Sequence, residues 1–545
     1  MPTTPAHTFE IVPLEDTRVA PEVAVTTAGS NGGDGWWQRT NRCFAQQWKK
    51  KDVRFTSKSA MLRLPMTTAA LLANLVGVGM VAIPYAFAGI GWAAILVVPL
   101  FAVLAVFNAY LLNSCCVMLE ERCKEYRKFH WYTQYSDVAS KALGPGVGRI
   151  VSGLRLLSVV GLQAVIIVLT AEAITDFVLA LVPAPWTHGS MYCTLVVGLG
   201  VLSAAIKGPC ADVTRYWCSV VNLPLSLTLL SLLLTGLAVS FGSGPTPRVP
   251  GSWNELRQIL SAAAHKDGGA GHLPAHRGTF TAPPAVPFFV GLGVIAFNYA
   301  SVSGFTSLRR DAATPSYFKR ATGYGVAGYT AACLLIGVLG YAAFGTTVGG
   351  NVIMSLNSDR TRTAANFFLA MSYLPTGNLV TLTLEEYDGA ENYGKRTVWS
   401  RAKMASPLMA CACVLALAVP HEGPLVALVG SLFACPVAFV LPPIFYAGLC
   451  KGSYQWPERP LSRNMKIALV VALVSGLVVH IGGTVTAIMQ IVHEAQLDQQ
   501  SCFWGFCYEG QYATTQPPAI YKQYLGHFLS EVQLPRNVGK CSKAG

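Results

Sequence analysis

The chain has 545 residues, of which 52% are apolar and only 12% charged, with a formal net charge of +13. A charged fraction about half that of ordinary globular proteins excludes a soluble domain and points to a membrane protein. The positive balance is not a nucleic-acid signature, because its Lys and Arg are sorted by loop and not gathered into one patch.

Residues 1–65 are polar, rich in Pro and Gly, and end in the basic stretch KKKDVRFTSKSAMLRL. They read as a disordered cytosolic tail, and with no apolar core and small-residue cleavage site ahead of the first span, a signal peptide is not expected. Eleven apolar runs follow, near 66–88, 92–118, 153–182, 190–206, 217–241, 285–306, 321–344, 364–384, 404–420, 424–448 and 466–489. Each approaches the roughly 20 residues that a helix needs to cross a hydrocarbon core. With the N-terminus in the cytosol, 29 of the 40 Lys and Arg fall in inner segments and 10 in outer ones, as the positive-inside rule requires. The reading is one membrane domain over 66–490, an outer loop at about 242–284, and a non-cytosolic tail over 491–545.

The outer loop carries His265, His272 and His276 without acidic or cysteine partners at ligand spacing, so no metal site is expected. Cys502 and Cys507, in SCFWGFCY on the outer side, leave both a local disulfide and two free thiols open. There is no Walker loop, dinucleotide fingerprint or zinc-protease motif, and no paired acid, base or metal constellation at one membrane depth. An ATP-driven pump and an enzyme are both disfavoured.

Two spans carry the chemistry. Span 1 contains NLVGVGMVAIPYAFAGIGW at 74–92, with Gly77, Gly79 and Pro84 inside an apolar run. Glycine is easily unwound and proline removes a helical hydrogen bond. Alone, this fits a kink or a close helix crossing as well as a site. Span 6 reads PFFVGLGVIAFNYASVSGFTSLRR, and its middle, from Asn298 to Gly304, is polar. Irregular backbone at membrane depth survives only where it is buried or lines a cavity. A pair of interrupted helices in corresponding halves of the chain points to a midplane site in a secondary transporter. Half-helix N-termini there offer N–H groups to a carboxylate, and freed carbonyls hold a cation or an ammonium.

Four stretches resemble the amino acid/auxin permease family of eukaryotic amino acid transporters: GVGMVAIPYAFAGIGW in span 1, YSDVASKALGPGVGRI at 135–150, IGVLGYAAFGTTVGGNVIMSLN at 336–357 and VGSLFACPVAFVLPPIFY at 429–446. The resemblance covers about 60–490. It implies an all-α polytopic membrane fold of about eleven helices, a LeuT-like five-plus-five inverted repeat with helices 1 and 6 broken, and alternating access driven by H+ or Na+. No other cofactor is expected. Where the family often has a Glu just after span 6, this chain has Ser307, and the offset of Asn74 from Gly77 differs from sodium-coupled members.

The substrate carboxylate is expected on the backbone of Gly77, Val78, Gly79 and Met80, with side-chain selection by Phe297, Asn298, Ser301 and Ser303. Ser372 and Thr376 in span 8, with Asn74, are ion-coupling candidates, and Tyr373 is a candidate gate or a packing residue. Glu172, the deepest carboxylate, is a candidate proton carrier or the wall of a wet vestibule. His480 in span 11 reads as a proton relay or, by preference, a hydrogen-bonded packing residue. The expected partners are an amino acid and the lipid bilayer, not nucleic acid, in a plasma membrane or a vacuolar or lysosomal one. A second class of function is a nutrient receptor that signals through the 65-residue tail. Accumulation of amino acid, as against binding alone, separates the two.

Overall fold

Glycine and proline decide where the helices start and turn. In a computed structural model of the chain, residues 67–69, 71–72, 75–76, 78–123, 134–181, 188–207, 211–243, 285–300, 309, 315–373, 384, 397–419, 421–451 and 458–497 are described. All lie in the compact unit Met61–Gly545, and among them there is no strand. The N-terminal tail, most of the outer loop and the segment with Cys502 and Cys507 lie outside the described residues.

Span 1 enters as a 3-10 turn, Val78–Ala82, and becomes helix α1, Ile83–Ile90, with Pro84 in its first turn, where a missing N–H does no harm. Gly91, at φ +73°, then breaks the direction of the chain. A side chain there would be strained. A 3-10 turn, Gly91–Ala93, leads into α2, Ala94–Arg122. The short α3, Tyr135–Leu143, lies ahead of α4, Pro145–Leu181. At 1.5 Å per residue α4 is about 55 Å long, longer than a hydrocarbon core of about 30 Å. It therefore begins eight residues before the apolar run that announced it.

The remaining helices are α5 (His188–Lys207), α6 (Ala211–Ser243), α7 (Ala285–Tyr299), α8 (Pro315–Phe344), α9 (Asp359–Met371), α10 (Val398–Ala418), α11 (Glu422–Leu428), α12 (Leu441–Cys450) and α13 (Arg463–Leu497). Among the described residues seven helical stretches are long and apolar enough to cross a membrane, and two apolar helices, Met191–Ala205 and Ala285–Tyr299, are shorter. Spans 1 and 2 form one such stretch, Gly79–Arg122, interrupted at Gly91. The last helix reaches Leu497, so the C-terminal tail starts later than the apolar run alone indicates.

Span 10 contains two π-helical stretches, Val429–Ala434 and Pro436–Val440, between α11 and α12. Prolines explain the wide turns. Cys435 N–H bonds to Gly430 O, and Pro436 has no N–H, so the Ser431 carbonyl gets no backbone donor. His480 of α13 supplies one from Nδ1 at 2.8 Å. The same logic recurs one turn on, where Leu441 N–H bonds to Pro436 O and Pro442 cannot donate. The Val437 carbonyl is met instead by the Tyr135 hydroxyl at 2.6 Å. Buried carbonyls left open by proline are thus closed by side chains from other helices.

The exterior is apolar, as a bilayer requires. Leu96 is 77% exposed, whereas Val98 on the same helix is fully buried. On α13, Val470, Val471, Val474, Val478, Ile481, Val485 and Ile488 form an exposed face at helical spacing. At the centre sits α7, packed by α1, α11, the first π stretch and α13, with every residue from Val290 to Tyr299 buried.

Candidate functional site

Spans 1 and 6, five spans apart in sequence, meet side by side. A Cβ built on Gly79 would lie 2.7 Å from Asn298 Oδ1 and 3.1 Å from Phe297 Cε1. Only a glycine lets the 3-10 turn approach α7 this closely.

Asn298 is held on two sides. Its Nδ2 donates to Val294 O at 2.9 Å, and its Oδ1 accepts from the Tyr329 hydroxyl of α8 at 2.6 Å. The next residue is fixed the same way. The Thr330 hydroxyl donates to Val326 O at 2.7 Å, so the Tyr299 hydroxyl is the donor in its 2.9 Å bond to Thr330. The Tyr299 and Tyr329 rings pack edge to face with centroids 5.7 Å apart, a geometry that adds attraction beyond burial. Two tyrosines therefore clamp the C-terminal turn of α7 to α8. Phe297 wedges between Gly79 and Gly430 of the π stretch.

This arrangement lays the turn Val78–Ala82 against the last residues of α7. Just before the turn, the Val76 carbonyl accepts from the Ser226 hydroxyl of α6 at 2.9 Å, and Asn222 Oδ1 lies 3.4 Å from the same hydroxyl. Further along the chain than α7, Arg309 donates to Asn113 Oδ1 at 2.8 Å and pairs with Glu120 at 2.7 Å, tying it to α2.

The expected site residues divide as follows. Gly79, Phe297 and Asn298 are brought together, with the backbone of Val78 beside them and Met80 fully buried. Asn74, Gly77, Ser301, Ser303 and Thr376 lie outside the described residues. Ser372, buried, bonds back to Leu369 O at 2.7 Å. The Tyr373 hydroxyl donates to Leu199 O at 2.8 Å and accepts from Ser203, latching the end of α9 to α5. Glu172 is buried near one end of the bundle. Asp176, one turn on, pairs with Arg362 of α9 at 2.6 Å.

Sequence reading missed Tyr329 and Ser226. A polar residue within an apolar run is the signal that marks both, but Tyr329 sits in GYGVAGYT and Ser226 in LPLSLTLL, stretches with several such residues.

The profile described as transmembrane amino acid transporter protein matches residues 63–489. AVT3A, an amino acid transporter of Arabidopsis thaliana, is 22% identical over 445 residues, 78% of this chain and 90% of that protein. AVT1H of the same plant is 22% identical over 390 residues, 70% of this chain and 80% of that protein. AVT3B is 24% identical over 208 residues, 38% of this chain, and the match spans about half of that protein's length, 48%. Among solved structures, Mhp1, a nucleobase-cation-symport-1 family transporter, aligns with a TM-score of 0.41 at 14% identity over 79% of this chain and 92% of its own. An Eremococcus coleocola manganese transporter aligns at 0.45 and 13%, over 87% and 93%.

Proposed function

The chain belongs to the transmembrane amino acid transporter family, and from that premise we propose that it is a secondary active transporter, not an enzyme, that moves amino acids across a membrane by alternating access on a five-plus-five inverted repeat. The observation that carries this reading is the close contact of Gly79 with Asn298 and Phe297, which lays the turn Val78–Met80 against α7. In this reading the N–H groups of the turn hold a carboxylate and carbonyls of span 6 hold the ammonium. A zwitterion satisfies both poles at once. A solute with only one charge leaves the other pole without a partner, at a penalty of about 1–3 kcal/mol for each buried polar group.

The polarity of the loops supports a cytosolic N-terminus, and coupling to protons suits a plasma membrane or the membrane of an acidic organelle. The purified protein, reconstituted in liposomes with a radiolabelled mixture of the proteinogenic L-amino acids, is expected to accumulate label when a proton gradient is imposed, and less or not at all with a sodium gradient. Saturable binding without accumulation under either gradient overturns the transporter reading and favours an amino acid receptor.

A further inference from the structure

Midway along α13, between the outward-facing Val478 and Ile481, stands an ionisable side chain, His480. Such a residue at that depth of a membrane helix is costly, and function is the default reason for it. The ring is half-buried, and its 2.8 Å bond to Ser431 O fixes its chemistry. A carbonyl oxygen only accepts, so Nδ1 carries the hydrogen and Nε2 keeps the lone pair of the neutral ring. The surroundings fit closely around this bond. A Cβ on Gly483 would lie 2.7 Å from Ser431 Cβ, the Ser431 hydroxyl donates to Ala427 O at 2.8 Å, and the Thr484 hydroxyl lies 3.3 Å from it.

A chain of contacts leads from the imidazole to span 1. Ser431 follows Gly430, whose ideal Cβ position overlaps Gly293 O and lies 2.8 Å from Phe297 Cβ. Phe297 in turn places Cε1 3.1 Å from the Cβ position of Gly79. Neither glycine leaves slack, and close-packed interiors transmit strain. A shift of the Ser431 carbonyl therefore reaches the turn Val78–Ala82 through one peptide unit and one aromatic ring.

Among the described residues no acid pairs with the ring. On α13 itself the other charged or titratable residues are Arg463, Lys466, His493 and Glu494, each about 20 Å or more away along the axis. Of the elements packed on α13, α7 carries Tyr299, whose hydroxyl is bonded to Thr330. On α11, Glu422 opens the helix, about 13 Å along the chain's axis before Ser431. Between the π stretches Cys435 bonds to Gly476 O at 3.3 Å, and α12 carries Tyr446 and Cys450 near its end. Tyr85 of α1 is bonded to Gln490, further along α13, at 2.7 Å. The group that answers a charge on the ring is thus the Ser431 carbonyl.

We propose that His480 takes up the coupling proton of transport, a role that rests on the transporter reading. One proton from solution adds to the Nε2 lone pair, no bond breaks, and the ring becomes an imidazolium whose Nδ1–H still donates to Ser431 O. Histidine is the side chain suited to exchange a proton near neutral pH, and a charged donor makes a bond roughly twice as strong as a neutral one. Protonation tightens span 11 on the π stretch and holds Gly430, Phe297 and Gly79 in contact. Loss of the proton loosens all three. Proton and amino acid favour the same arrangement, so each raises the affinity for the other.

The test compares the full-length wild type with His480→Asn and His480→Gln. Asn places an amide N–H as many bonds from the backbone as Nδ1, which keeps a donor for Ser431 O without a titrating ring. Gln reaches one bond farther and serves if size exclusion shows the Asn variant misfolded. Binding of the radiolabelled L-amino acid mixture in detergent is expected to strengthen about fivefold or more from pH 8 to pH 5 in the wild type and to stay flat in the variants. In liposomes carrying an internal pH dye, proton entry on adding the mixture is expected in the wild type and not in the variants. A pH slope or proton entry retained in a folded variant overturns the proposal and leaves the transporter reading standing. Affinity lowered equally at every pH, with the slope kept, makes His480 a packing residue only. A wild type that accumulates nothing under either gradient overturns the transporter reading, and the coupling role with it.

Discussion

Adding one methyl group at Gly79 is the sharpest perturbation of the broken-helix contact. The new Cβ would stand 2.7 Å from Asn298 Oδ1 and 3.1 Å from Phe297 Cε1, several tenths of an ångström inside normal contact. An amide oxygen at the end of a side chain ordinarily swings aside at little expense. This one is bound by Tyr329 at 2.6 Å, with its amide nitrogen tied to Val294, so yielding breaks a buried hydrogen bond. Overpacking and the lost bond each cost about 1–3 kcal/mol, and because relieving one incurs the other, the two do not add. Gly79→Ala should therefore destabilise the protein by about 1–3 kcal/mol, and the displaced turn should also lose amino acid uptake. In an Asn298→Ala background the oxygen is gone, and the same methyl group should cost less, with a coupling of about 1–2 kcal/mol. Fluorescence-monitored unfolding of the single and double variants in detergent, alongside uptake in liposomes, reads both quantities. Strict additivity, or Gly79→Ala with the wild-type midpoint and uptake, refutes the close contact as the reason for glycine.

Two further outcomes follow from carbonyls closed by side chains. His480→Ala removes the donor at Ser431 O and should lower stability by about 1–3 kcal/mol; an unchanged unfolding midpoint would mean that the π stretch finds another partner. Ser226→Ala strips the hydroxyl from Val76 O and should weaken amino acid affinity as well as stability, whereas Ser226→Thr, which keeps the hydroxyl, should restore affinity; a Thr variant as weak as Ala would count against hydrogen bonding as the cause.

The helical fold was legible because length and apolarity suffice to mark a span, and because charge sorts the loops. Burial was not legible. In water a helix shows its core face by polar residues on the other side, but here Leu96 faces outward and Val98 inward, and both are apolar. Nothing in α2 tells a reader which side meets lipid. Gly79 and Asn298 stood out as glycine in a helix and amide in an apolar run, and the structure places them in contact. Their support did not stand out, since Tyr329 is brought to Asn298 by packing of α7 on α8 and Ser226 is brought to Val76 across 150 residues.

Proline shows how one sequence rule acts at two distances. Within span 10, Pro436 and Pro442 withhold N–H groups from carbonyls that then have to be served from elsewhere, and His480 and Tyr135 serve them from α13 and α3. The wide turns are therefore not local property alone. They are stable only while two other helices stay docked, which makes span 10 responsive to movements of its neighbours. Its mouth, α11, also packs on α7 and on the turn that holds Gly79, so a movement of span 10 reaches the close contact of spans 1 and 6.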